Sequence, residues 1–160
     1  MNMSMKYIAV LFCMLCLLLP ISAIADNTEN AEPLMEAPAV NDLKFAELLA
    51  TRAVPAIFAT GAAFETAFYY GNSAALPTVS RERTMELQQA AGLIRNVKIS
   101  EEYEPIRTEF LSKLDTLLYE VREGGSLKQG CSKCVADIKR MKEYSQNFGV
   151  WTIESISKIS

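Results

Sequence analysis

The chain has 160 residues, 19 acidic against 16 basic, a formal net charge of −3 and no histidine. A mildly acidic chain without a basic cluster is a poor partner for nucleic acid or for an anionic lipid surface. The lack of imidazole removes Ser-His-Asp and Cys-His catalysis, ordinary zinc hydrolase sites and the Glu-x-x-His motif of di-iron bundles.

Residues 1–25 read as a cleavable signal peptide. Lys6 is followed by an apolar run from Tyr7 to Leu19, a break at Pro20 and the small residues Ala23 and Ala25 ahead of Asp26. That is the charge, core and A-x-A order that signal peptidase recognises. The run falls short of the ~20 residues a membrane span needs, so the processed chain is not expected to be an integral membrane protein. The expected location is outside the cytoplasm, periplasmic or secreted. Residues 26–41, with Pro33 and Pro38 among small polar residues, show no sustained period and read as a flexible leader.

From residue 42 to 160 the pattern is helical, and one domain is expected. Phe45, Leu48 and Leu49 open an apolar face, and Pro55 is expected to kink or divide the helix because it lacks an N–H and clashes with the preceding turn. Ile57, Gly61, Phe64 and Phe68 continue the face beside a stripe of small residues at Ala56, Thr60, Ala63 and Ala67. Gly71-Asn72 is a stop signal. The next helix is expected from Pro77-Thr78, capped by Thr78 or Ser80, with Leu87, Ala90, Ala91, Ile94 and Val97 buried.

Ser100 restarts the chain. Glu101, Glu102 and Glu104 suit the first turn of a helix, where the dipole favours negative charge, and need no catalytic role. Ile106, Phe110, Leu114, Leu117 and Val121 then recur at steps of three and four, the strongest amphipathic signal in the chain. After Gly124-Gly125, Ser126 to Gln129 reads as a capping box opening a last long helix. Its stripe is Leu127, Cys131, Cys134, Ile138, Met141, Ser145 and Phe148. Val150 to Ser160 reads as a further short helix. Four helical segments with short connections predict an all-α, antiparallel four-helix bundle-like domain.

Two features carry the functional expectations. Cys131 and Cys134, at i and i+3, can bridge on one helix, yet closing so short a ring stabilises by under about 2 kcal/mol and joins no two helices. The pair is open to four readings: packed core cysteines, a thiol-redox centre near a helix N-terminus beside Lys128 and Lys133, a metal or haem anchor, or an intermolecular disulfide. A CxxC on the last helix of an exported bundle resembles the cytochrome c prime family, which carries CxxCH there. Val135 stands where that family has its histidine, so haem attachment is not implied, and neither a cofactor nor a metal is expected.

The second feature is the charge-poor segment between Arg52 and Arg81, broken only by Glu65, with Phe58, Phe64, Phe68, Tyr69 and Tyr70. It reads either as a closely packed central helix or as an apolar surface for a protein partner, a second copy or a small apolar ligand. Without a base near neutrality, binding is expected over catalysis. The leading expectation is a subunit or accessory factor of an envelope or secreted complex. The alternative is a thiol-redox or cofactor-carrying protein using the CxxC pair.

Overall fold

The apolar stripe on both sides of Pro55 forms a single helical rod in the computed structural model, which describes residues 40–72 and 74–159. The expected signal peptide and nearly all of the expected leader lie outside the described residues. Val40 and Asn41, the leader's last two residues in the sequence reading, already belong to the first helix.

Val40–Leu48 (α1) passes through a π-helical turn, Leu49–Ala53, into Val54–Tyr70 (α2). The proline therefore does not divide the rod. Pro55 has no N–H to return to the preceding turn. The chain widens just upstream, where the Val54 N–H reaches the Leu49 carbonyl five residues back and the Thr51 hydroxyl donates to the Glu47 carbonyl at 2.7 Å.

Ala75–Asn96 (α3), Glu104–Gly124 (α4) and Ser132–Ile156 (α5) complete the described elements, with a 3-10 turn at Glu101–Tyr103 leading into α4. No strand occurs among the described residues. Helix α2 packs on α3, α3 on α4, α4 on α5, and α5 returns to α2. Short connections make consecutive helices antiparallel, so the four rods close an up-down-up-down ring around a shared core.

The predicted faces fill that core. Phe45, Ile57, Phe64, Leu87, Ile94, Phe110, Leu117, Val121 and Met141 are buried. Thr60, Thr152 and Ser155 are buried too, and each hydroxyl donates to the carbonyl four residues back, so none of these three hydroxyls is stranded.

The ends of the helices depart from the expectations. Helix α3 begins at Ala75 rather than at Pro77: the Asn72 side chain accepts from the Ala74 N–H at 3.0 Å, and Pro77 fits within the first turn. Ser80 is no cap; its hydroxyl donates across to the Val121 carbonyl of α4 at 2.8 Å. The Ser126–Gln129 capping box does not form either. Ser126 donates back to the Glu123 carbonyl, closing the end of α4, and α5 starts six residues later at Ser132. Residues 150–156 continue α5 without a break instead of forming a separate helix.

Asp42, read from sequence only as a boundary, is 1 % exposed. Its carboxylate accepts from the Ser100 N–H at 2.7 Å and the Ser100 hydroxyl at 2.6 Å, clamping the α3–α4 connection onto the start of α1.

Candidate functional site

The segment between α4 and α5 brings the cysteine pair against the end of α2. Tyr70 ends α2, and the Gly71 N–H closes it on the Ala67 carbonyl at 3.0 Å. The last carbonyls of a helix lack partners within it. Here Gln129, 58 residues on, supplies them: its side-chain amide donates to the Gly71 carbonyl at 2.6 Å and the Ala67 carbonyl at 3.1 Å. Gly130 then takes a positive φ of 76°, which L side chains rarely adopt, and turns the chain into Cys131. Replacing Gln129 by Ala is expected to lower stability by about 1 kcal/mol, read as a melting temperature about 3–5 °C lower. An unchanged melting curve would remove the tie between α2 and the loop.

Cys131 is the N-cap of α5, and Cys134 stands three residues in. Their sulfurs are at disulfide distance, with Cα atoms 5.2 Å apart. The Cys134 N–H donates to both the Cys131 carbonyl at 3.0 Å and the Cys131 sulfur at 3.3 Å. Sulfur thus takes the place that a Ser or Asp oxygen fills in an ordinary cap. The two cysteines differ in access: Cys134 is 8 % exposed and belongs to the core, while Cys131 is half-buried.

Cys131 forms one wall of a cleft of about 370 Å³, with Phe68, Tyr69, Gln129, Ser132 and Val135 around it. No carboxylate lines this cleft. An adjoining cleft of about 420 Å³ shares Tyr69 and Val135 and is bordered by Glu65 and Lys142, which pair across α2 and α5 at 2.8–2.9 Å. A larger groove of about 720 Å³ lies elsewhere, between Pro55 and Ala59 on one side and Gln89 and Leu93 on the other. Thr51 and Glu86 also line it, the Thr51 hydroxyl donating to the Glu47 carbonyl and Glu86 pairing with Arg83.

The five aromatic residues singled out from the sequence do not share a surface. Phe64 and Phe68 are buried and belong to the core, with Phe68 also lining the cleft beside Cys131. Phe58 is half-buried with its ring over Gly149, where even a Cβ would come within 2.5 Å of it. Of the five, Tyr69, 53 % exposed, and Tyr70, 86 % exposed, are the exposed ones, their rings tilted by 60° at 6.4 Å between centroids. The helical period explains the split: Phe64 and Phe68 lie four apart on the core side, and Tyr69 and Tyr70 follow on the outer side. Val135, 41 % exposed, joins them at the cleft rim; the sequence marked it only for not being histidine.

The displaced titrations belong to the surface. Tyr103 is pushed up, first by its hydrogen bond with Glu102, and Arg140 is raised, first by its hydrogen bond to Glu120. Among the described residues, no group of three or more carboxylates or cysteines could hold a metal ion, and no helix is long and apolar enough to cross a membrane. Compared with family models, curated proteins and solved structures, the chain matches none.

Proposed function

We propose that this chain is an exported helical domain that works by binding, as a subunit or accessory factor of an envelope or secreted complex, through the corner where α2 ends and α5 begins. The observation that carries this reading is the exposure of Tyr69 and Val135 on two adjoining clefts, with the exposed Tyr70 next to Tyr69. Tyrosine offers a large rigid face with a polar tip, and such residues dominate binding energy at protein interfaces. The clefts are open and shallow, which suits a polypeptide surface presenting apolar side chains rather than an enclosed small molecule. Phe64, Phe68, Cys134 and Ile138 are buried behind them, and a surface backed by packed side chains loses less freedom on docking than a free segment does.

The test is photo-crosslinking from position 70 in the native envelope fraction, followed by affinity measurement with the captured partner. Tyr69→Ala with Tyr70→Ala is expected to weaken capture roughly tenfold to thirtyfold while the melting temperature stays within about 2 °C. A crosslink only to a second copy of this chain would make the corner a homodimer face. A protein that remains monomeric and captures nothing would overturn the reading.

A further inference from the structure

We propose that Cys131 and Cys134 form a thiol–disulfide exchange centre whose co-substrate is a dithiol. This goes beyond the binding reading and does not depend on it.

Three independent placements carry the inference. The bridge is poorly placed to act as a staple, because it spans three residues of one helix end and ties no second helix to it. The pair is asymmetric: Cys131 is half-buried and lines the cleft, and Cys134 is 8 % exposed and packs in the core. An incoming thiolate therefore meets Cys131 first, and Cys134 becomes the leaving group. Finally, the Cys131 sulfur sits at the N-cap with the Cys134 N–H 3.3 Å away, where unpaired N–H groups and the helix dipole stabilise a thiolate.

The charges around the sulfur agree with this. On its own segment stand the exposed Lys128 and Lys133. From α2 the Tyr69 ring lines the same cleft; the adjoining cleft holds Glu65, paired with Lys142, and Glu143, paired with Lys139. Nothing acidic lines the cleft itself.

The chemistry balances without a further reactant. One thiolate of the co-substrate attacks the Cys131 sulfur and forms a mixed disulfide. The Cys131–Cys134 bond breaks, its electron pair leaves on Cys134, and Cys134 takes a proton from water. The second thiolate of the co-substrate then attacks its own sulfur in the mixed disulfide and releases Cys131 as a thiolate. The co-substrate loses two electrons and becomes a disulfide; Cys131 and Cys134 gain them and become a dithiol. A stabilised Cys131 thiolate is the better leaving group in the second step.

The experiment uses the purified protein. After reduction, alkylation is followed by mass spectrometry across pH, and the bridge is separately equilibrated with reduced and oxidised glutathione. Cys131 is expected to alkylate at least about tenfold faster than Cys134, with its onset about one pH unit below the ordinary cysteine range. The bridge is expected to exchange with glutathione. Cys134→Ser is expected to trap a stable mixed disulfide on Cys131, and Cys131→Ser to trap none on Cys134. Circular dichroism checks that both variants fold, and the alkylation comparison needs no variant. Equal, slow alkylation of both thiols, or a bridge inert to glutathione, would overturn the proposal and leave a local structural ring. Exchange is read with glutathione and no docking partner present, and partner capture is read by crosslinking from position 70 with no added thiol. The two proposals therefore fail separately.

Discussion

Phe64→Ala is expected to destabilise the bundle by about 3–5 kcal/mol, a large share of the roughly 5–15 kcal/mol that holds a domain of this size. Phe64 is fully buried, at 0 % exposure, between the helices that make the ring. Its ring fills the space over Gly124 at the end of α4. A Cβ added at Gly124 would come within 2.7 Å of the Phe64 ring and 2.5 Å of the Met141 terminal methyl. Removing the ring takes away its transfer energy and leaves a cavity that close-packed neighbours cannot fully close.

The same geometry makes the prediction sharper than a stability loss alone. Gly124→Ala by itself should destabilise by about 1–3 kcal/mol, because the new methyl meets Phe64 and Met141 in a packed core. In the Phe64→Ala background one of the two obstacles is gone, the flexible end of Met141 can turn into the space it leaves, and the methyl partly fills the cavity. The pair should then show a coupling of at least about 1 kcal/mol in a double-mutant cycle measured by urea unfolding. Additive effects would mean that Phe64 does not pack over the end of α4.

Burial of Phe64 also decides between the two sequence readings of the aromatic segment. Periodicity placed Phe64 and Phe68 on one face with Ile57 and Gly61, and that face is in the core. A stripe at steps of three and four is a strong signal, so the buried faces of α3, α4 and α5 were also legible, from Leu87 to Ile94, Phe110 to Val121 and Cys134 to Phe148. Composition alone could not say which of the aromatic residues a neighbouring helix would cover. Tyr69 and Tyr70 remain outside because α2 ends with them and their side of the helix has no neighbour large enough to cover them.

Helix ends were read less well, for one physical reason. A cap read from sequence is local, whereas the partners here come from far along the chain. Ser126 and Gln129 have the spacing of a capping box, yet Gln129 is drawn to the end of α2 by two carbonyls that local spacing does not reveal. Asp42 looks like a residue at the head of a helix, yet its partner is Ser100, 58 residues on. The candidate site shares this limit. The i, i+3 spacing of Cys131 and Cys134 was visible at once, but their unequal access depends on where α2 stops and which side of α5 it covers.

Gly61→Leu is expected to be comparably damaging, by forcing apart the two helices that carry the corner. Helices α2 and α5 cross closely at Gly61: a Cβ there would sit 3.0 Å from the Lys142 Cα and 3.3 Å from the Ser145 Cβ. The first of these is backbone, which cannot move aside as a side chain can. Ala at this position needs a shift of a few tenths of an ångström; Leu needs the helices to separate, at a cost of about 3 kcal/mol or more. The Ser145 hydroxyl donates to the Ile57 carbonyl across the same crossing, and the Gly61 N–H approaches the Ser145 oxygen at 3.4 Å. Ser145→Ala removes that polar link while keeping the close approach, and should cost only about 1 kcal/mol. If the crossing is held by contact of backbones, Gly61→Leu will exceed Ser145→Ala at least twofold in unfolding free energy. Gly61→Leu should also pull the ends of α2 and α5 apart, so that Gln129 no longer spans Ala67 and Gly71 and Cys134, once the bridge is reduced, becomes open to alkylation. Equal losses from the two variants, with Cys134 still protected, would show that the hydrogen bond rather than the absent side chain sets the distance between the helices.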